Sequence, residues 1–105
     1  MIRIRDIQAA IAAEFGIDVA LMTAPSHGET RNGFDASHPR QTAIALSCIL
    51  TKQTKANIGR HFGGRDHTTV LHAFRAVKKR ARSDPRLFNI MHRTAVILTN
   101  AQVQS

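Results

Sequence analysis

The side chains with the greatest capacity for chemistry stand together in one run of the sequence, from Gly63 to Ala73. Two glycines are followed by an arginine, an aspartate, a histidine and two threonines, which offer both donors and acceptors of hydrogen bonds. Asp66 is a residue type that caps helices, so we predict that a helix begins just after it. A helix N-terminus suits phosphate, and threonine suits the edges of DNA bases. The run therefore predicts a helix that contacts nucleic acid.

The helix predicted after Asp66, which should extend to about Arg82, has two chemically different faces. At about 3.6 residues per turn, its apolar residues form one narrow stripe. That stripe contains Val70, Ala73, Phe74, Val77 and Ala81. The opposite side contains Thr68, His72, Arg75 and Lys79. The first face is suited to a protein core, and the second is suited to a polar partner.

A shorter helix precedes this one. Thr54 can cap it, Ile58 and Phe62 lie one turn apart on it, and the glycine pair ends it. Two helices joined by a glycine turn form a helix-turn-helix. In that motif the first residues of the second helix meet base edges, while the first helix crosses the DNA backbone.

The rest of the chain also has helical spacing. Apolar residues recur from Ile4 to Phe15 before a glycine, and Asp18 can cap a short helix through Met22. Residues 24–38 are rich in Pro, Gly, Ser and Asn, which predicts a flexible loop. Pro39 fits the first position of the next helix, with the cap at Ser37 or His38.

Asp84 and Pro85 open a last helix, which contains apolar residues through Leu98. No strand pattern, repeat or low-complexity segment competes with these helices. We therefore predict one all-α domain over residues 1–105, with about six helices and a helix-turn-helix.

The net charge of +8 is concentrated in one part of the sequence. Residues 52–86 hold ten basic side chains against Asp66 and Asp84, whereas residues 1–51 carry −1 and residues 87–105 carry +1. A solvated helix usually mixes both signs of charge. A segment of one sign instead indicates a polyanionic partner.

The run from Gly63 to Ala73 resembles the signature of the C-terminal DNA-binding domain of the bacterial replication initiator DnaA. The resemblance extends from about Ile4 to about Leu98. It includes Ile7-Gln8, Pro39-Arg40-Gln41, Ala43 to Leu46, Leu50-Thr51 and Ile58-Gly59. It implies the Trp-repressor-like all-α fold of that domain and binding to a short asymmetric DNA site, the DnaA box.

The resemblance also implies roles for particular residues. Major-groove contacts would come from the matching positions Arg65, Asp66, His67, Thr68 and Thr69. For Asp66, capping and base contact stay open as alternatives, and for Arg65 a phosphate contact is favoured over a base contact. The Pro-Arg-Gln match implies that Arg40 and Gln41 hold the DNA backbone. Charge and position add further phosphate contacts at Lys52, Lys55, Arg75, Lys78 and Lys79.

Two features of the sequence, a loop and a pair of residues, depart from the family pattern. The loop that reaches the minor groove in the family is rich in arginine, but here it holds only Arg31, with Glu29 and Asp35 nearby. Arg31 is therefore the one minor-groove candidate. A Leu-Pro pair in the family is replaced by Lys55 and Ala56, which exchanges an apolar base contact for a phosphate contact.

Other chemistry has little support. His67 and His72 are five residues apart, which does not suit one helical face, so we predict no metal site. Residues 59–64 contain glycines but lack the Gly-Lys-Ser/Thr ending of a phosphate loop. We expect no enzyme, no cofactor and no bound nucleotide. Cys48 lies on an apolar helical face and is predicted to be a packed side chain.

The leading hypothesis is a stand-alone, monomeric protein that binds double-stranded DNA at DnaA-box-like sites, in replication initiation or its regulation. Two alternatives stay open: a transcriptional regulator on the same scaffold, and a basic RNA-binding or nucleoid protein without sequence preference. No apolar run approaches membrane-spanning length, and residues 1–6 lack the apolar region of a secretory signal, so we expect neither feature. We expect the protein to be cytoplasmic and associated with the nucleoid.

Overall fold

The computed structural model describes residues 1–25 and 36–104, without the side chains of residues 103 and 104. This part of the chain contains helices and connecting turns and no strand. The helices are α1 (Ile4–Phe15), α2 (Val19–Met22), α3 (Ser37–Leu50), α4 (Lys55–His61), α5 (His67–Ser83) and α6 (Pro85–Gln104). The prediction of an all-α fold with about six helices is confirmed.

Helix starts that were predicted from capping residues are present. The Thr54 hydroxyl accepts a hydrogen bond from the Asn57 N–H at 3.1 Å, at the start of α4. The Asp84 carboxylate accepts one from the Leu87 N–H at 3.1 Å, at the start of α6. Each cap satisfies an N–H group that has no partner inside its own helix.

The predicted start of α3 is wrong by two residues. Helix α3 begins at Ser37, with Ala36 as its N-cap, so Ser37 and His38 are helical and Pro39 is the third helical residue. A proline is tolerated there because N–H groups in a first turn have no helical partner. The rest of the predicted loop, from residue 26 to 35 and including Arg31, lies outside the described residues.

Helix α3 passes through the centre of the core. Residues 42–47 are all buried, so this helix is covered on every side rather than along one stripe. Its polar side chains are satisfied locally: the Thr42 hydroxyl donates to the His38 carbonyl at 2.9 Å, and the Ser47 hydroxyl donates to the Ala43 carbonyl at 2.8 Å. The core can therefore contain these hydroxyls at little cost.

The apolar core joins α3 to the helices around it. Its largest fully buried apolar side chains are Ile7, Ile11, Met22, Ile44, Leu46, Ile58, Phe62, Val70 and Val77. Cys48 is half-buried and packs against this core, and burial raises the pKa of its thiol. The interpretation of Cys48 as a packed side chain is confirmed.

The turn between α4 and α5 brings backbone segments closer than any side chain would allow. A Cβ atom on Gly59 would lie 1.9 Å from the Arg65 carbonyl oxygen, and the Arg65 N–H donates to the Gly59 carbonyl at 2.9 Å. Gly63 has a φ of 79°, and a Cβ there would lie 2.2 Å from the Ala24 carbonyl oxygen. Gly64 has a φ of 75°, but open space surrounds it. Gly63 is therefore constrained both by its positive φ and by its close approach to Ala24, whereas Gly64 is constrained by its positive φ alone.

This difference makes Gly63→Ala and Gly64→Ala a matched pair. Both substitutions place a side chain in the left-handed region, which costs about 1–2 kcal/mol. Gly63→Ala must also separate the turn from Ala24, which should add about 1–3 kcal/mol to the loss of stability. Urea denaturation of both variants measures the difference. Equal losses of unfolding free energy would contradict the close approach at Gly63.

Candidate nucleic-acid interface

The first turn of α5 is capped and exposed. The Asp66 carboxylate accepts a hydrogen bond from the Thr69 N–H at 2.9 Å, which confirms the capping role of Asp66. Hydrogen bonds from Thr69 lower the pKa of Asp66, so its carboxylate is ionised at neutral pH. An ionised carboxylate has several acceptor positions. Capping therefore leaves Asp66 able to accept a further donor.

The side chains after Asp66 point away from the protein. His67, Thr68 and Thr69 are exposed, whereas Val70 is fully buried. The same division continues along α5. Buried or half-buried positions are Val70, Ala73, Phe74, Val77 and Ala81, and exposed positions are Thr68, His72, Arg75 and Lys79. The predicted two faces of this helix are confirmed.

Arg65 has a role that the sequence does not indicate. Its Nη1 donates to the Ala24 carbonyl at 2.8 Å and also to the Phe62 carbonyl. The guanidinium thus joins the end of α4 to the segment after α2. Burial, followed by the nearby positive charge of Arg40, lowers the pKa of Arg65. Sequence spacing could not show this contact because Ala24 lies 41 residues earlier.

Arg40 and Gln41 of α3, which we predict to contact the DNA backbone, lie near α5. The Gln41 side-chain oxygen accepts a hydrogen bond from Arg80 Nη2 at 3.0 Å. Arg80 was not among the predicted site residues, and it fixes the position of Gln41 relative to α5. The Gln41 amide nitrogen still has donor capacity for a phosphate. Arg40, the residue before Gln41 on α3, is half-buried.

The predicted lysine and arginine contacts are on the surface. Lys52 lies in the link between α3 and α4, and Lys55 is the first residue of α4; both are exposed. Arg75, Lys78 and Lys79 are exposed on α5. The structure therefore places these cations on the helix-turn-helix and its flanks.

The two acidic residues of segment 52–86 are both used as helix caps. Asp66 caps α5 and Asp84 caps α6, so each carboxylate sits at a helix start. The ion pair between Arg93 and Glu14, at 2.7 Å, joins α6 to α1 elsewhere in the molecule. The exposed cations along α5 therefore create a positive surface on the side away from the core.

Neither a metal-binding cluster nor a membrane-spanning helix occurs in the described part of the chain. No three His, Cys, Asp or Glu side chains come together there. His61 Nδ1 hydrogen-bonds the Asn57 carbonyl at 2.9 Å, and His92 stacks on Phe88 with ring centroids 6.1 Å apart. None of the described helices is long and apolar enough to cross a bilayer.

A short helix, a glycine turn and a longer helix with a polar, cationic outer face define a helix-turn-helix DNA-binding domain. Comparison with known families gives a more particular result. Residues 4–77 match the model described as the bacterial dnaA protein helix-turn-helix, and the chain belongs to this family.

Curated relatives carry the same relationship. The chain is 36% identical over 100 residues to the chromosomal replication initiator protein DnaA of Rickettsia bellii, which covers 95% of this chain and 20% of that protein. It is 42% identical over 84 residues to the corresponding protein of Laribacter hongkongensis, covering 80% of this chain and 16% of that protein. The chain thus spans about a fifth, or less, of the length of these relatives.

The bonds of Arg65 predict a role in stability without DNA. Arg65→Met removes the donor to two backbone carbonyls, and each polar group left unsatisfied costs about 1–3 kcal/mol. Arg75→Met is the control, since Arg75 is an exposed arginine on the same motif. Urea denaturation should show a clear loss of unfolding free energy for Arg65→Met and little loss for Arg75→Met. If both variants match the wild type, the structural role of Arg65 is wrong.

The cap of α5 predicts a pH dependence. Because folding lowers the pKa of Asp66, its carboxylate stabilises the fold above the ordinary value of 3.8, and this contribution is lost as pH falls through the lower folded value. Asp66→Ala should therefore be less stable than the wild type at pH 7, and the gap should narrow in acid. Asp66→Asn keeps a neutral cap and serves as the control. Thermal denaturation at neutral and at acidic pH measures this difference in stability. If the difference between Asp66→Ala and the wild type is the same at both pH values, the capping role of the Asp66 carboxylate is contradicted.

Proposed function

We propose that this chain binds double-stranded DNA in a sequence-specific manner, at sites resembling the DnaA box. The observation that carries the proposal is the exposed, capped first turn of α5. It presents imidazole and hydroxyl groups directly after the turn of a helix-turn-helix. The family match and the positive surface of α5 support the same function.

The first turn of α5 would enter the major groove, which is about 12 Å wide and admits a helix. Thr68 and Thr69 would contact base edges through hydroxyls and the thymine methyl group through their own methyls. His67 can donate or accept, and ionised Asp66 can accept from a cytosine amino group while it caps the helix. The buried face of α5 would hold this turn against the core.

Phosphate contacts would surround this turn. The proposed contacts are Arg40, Gln41, Lys52, Lys55, Arg75, Lys78 and Lys79. Each neutralised phosphate releases counterions, so binding should weaken steeply as salt rises. Arg65 contributes by a different route: it holds the turn in place through its bonds to Ala24 and Phe62.

The relatives are replication initiators, and we extend that role to this chain as replication initiation or its regulation. An asymmetric site needs only one protein molecule, so we propose a monomer that binds without nucleotide and without catalysis. A genomic footprint concentrated at the replication origin supports this role. A footprint concentrated at promoters would instead establish transcriptional control.

One observation favours binding without sequence preference. Lys55 is exposed at the start of α4, where it adds a phosphate contact rather than a base contact. Fluorescence anisotropy with a DnaA-box duplex and a scrambled duplex separates the two functions. Specific binding predicts a loss of about 1–3 kcal/mol for each mismatched base pair. Equal affinities for both duplexes would establish the non-specific function, and no binding even at low salt would reject both.

Thr68→Ala and Lys79→Ala test how the helix docks. Thr68→Ala removes a proposed base contact without changing charge, so it should reduce the preference for the box over the scrambled duplex. Lys79→Ala removes a proposed phosphate contact, so it should lower the affinity for both duplexes by the same factor. It should also reduce the slope of log affinity against log salt by about 1. Anisotropy titrations at several salt concentrations measure both effects. The docking would be wrong if the two variants changed the sequence preference equally.

A further inference from the structure

An apolar groove lies at the end of α5 that is remote from the glycine turn. It is bordered by α3, α5 and α6, is open to solvent and has a volume of about 670 Å³. Apolar side chains line it, among them Ile49, Ala81, Phe88, Met91 and Ala95. None of the residues proposed for base contact takes part in it.

Two large side chains in this groove are left open to solvent. Ile49 is 57% exposed and Phe88 is 55% exposed, although both belong to regular helices that pack on the core. Phe88 also stacks on His92, with only 7° between the ring planes, which gives the groove a flat aromatic wall. Contiguous exposed apolar surface of this kind marks interaction sites.

The edge of the groove is positive. Lys78 and Arg82 line it, and no acidic residue does so in the described part of the chain. Asp84, the nearest carboxylate in sequence, is used as the cap of α6. A partner that covers this groove should therefore be apolar at its centre and acidic at its edges.

A second copy of the chain is a poor occupant. A symmetric dimer places the same patch of each copy against the other, so it would bring the Lys78 and Arg82 cations of both copies into one interface. The chain also carries a net charge of +8, which opposes self-association. The charges of the groove thus favour a different, acidic protein.

Nucleic acid is also less suitable. Most of the side chains that line the groove are apolar, and only Phe88 and His92 among them are aromatic rings on which bases could stack. Thr68 and Arg82 are separated by about 20 Å along α5, at a rise of about 1.5 Å per residue. A duplex at the first turn of α5 therefore leaves the apolar centre of the groove open for a separate partner, although Lys78 is both a proposed phosphate contact and a residue of the groove.

We propose that this groove binds an acidic amphipathic helix of a partner protein. The apolar face of that helix lies on Ile49, Phe88 and Ala95, and its flanking carboxylates pair with Lys78 and Arg82. This is helix-in-groove recognition, in which apolar side chains at helical spacing are the anchors. The proposal does not rest on DNA binding, because the groove and the first turn of α5 are separate surfaces.

The probe is a fluorescein-labelled synthetic helix of about 18 residues, long enough to form a helix in water. It carries Leu at helical spacing on one face and Glu on the flanks, and a control peptide carries Lys in place of Glu. Anisotropy titrations without DNA should show binding of the acidic peptide and at least about tenfold weaker binding of the basic one. Equal affinities, or no binding of the acidic peptide, overturn the proposal.

Matched variants locate the binding. Phe88→Ser should lower the affinity for the acidic peptide by about fivefold or more, as expected for an anchor residue. Ile97→Ser is the control because Ile97 is 56% exposed on the same helix but lies outside the groove. Arg82→Glu should weaken binding, whereas Arg86→Glu, which changes an exposed charge beyond the groove, should not. Circular dichroism checks that each variant is folded.

Two further outcomes would overturn the choice of occupant. If a second copy occupies the groove, sedimentation equilibrium without peptide would show a dimer, and the Phe88→Ser substitution would abolish that dimer. A single-stranded oligonucleotide that displaces the acidic peptide, with the displacement lost in Phe88→Ser but kept in Ile97→Ser, would assign the groove to nucleic acid. A monomer from which the oligonucleotide does not displace the peptide supports the proposal.

Discussion

The contact of backbone against backbone at the turn between α4 and α5 is the constraint on which the rest of the structure depends. At Gly59 and Gly63, a single added carbon would lie 1.9 Å and 2.2 Å from a carbonyl oxygen of another segment. These contacts fix the angle at which α5 leaves α4. Arg65 reinforces the same turn because its guanidinium bonds to the carbonyls of Ala24 and Phe62. The polar first turn of α5 is consequently presented from a rigid base.

The arrangement of charge follows from helix capping. Segment 52–86 has only Asp66 and Asp84 to offset ten cations, and each carboxylate is held at a helix start by backbone N–H groups. The cations of α5 therefore stay on its outer surface, opposite a stripe whose members Val70 and Val77 are fully buried. One helix thereby packs on the core along one face and exposes its cations along the other. This division leaves one whole face of α5 available for the proposed contact with DNA.

Sequence alone could predict the features that depend on near neighbours. The capping residues Thr54, Asp66 and Asp84 and the two faces of α5 each depend on spacings within one helix. The bond from Arg65 to Ala24 joins residues 41 apart, and that from Arg80 to Gln41 joins residues 39 apart, so no local pattern contains them. The groove lined by Phe88 depends on how three helices pack. The start of α3 was missed because proline is tolerated throughout a first turn.

We propose above all that the first turn of α5 contacts duplex DNA. A titration of the ¹⁵N-labelled protein with a DnaA-box duplex, followed by amide chemical shifts, tests this claim most directly. The largest shifts should fall on residues 65–69, with smaller shifts at Arg75 and Lys79 and little change around Met91 and Ala95. Shifts that are largest on α6 or α1, with residues 65–69 unchanged at saturation, would contradict it.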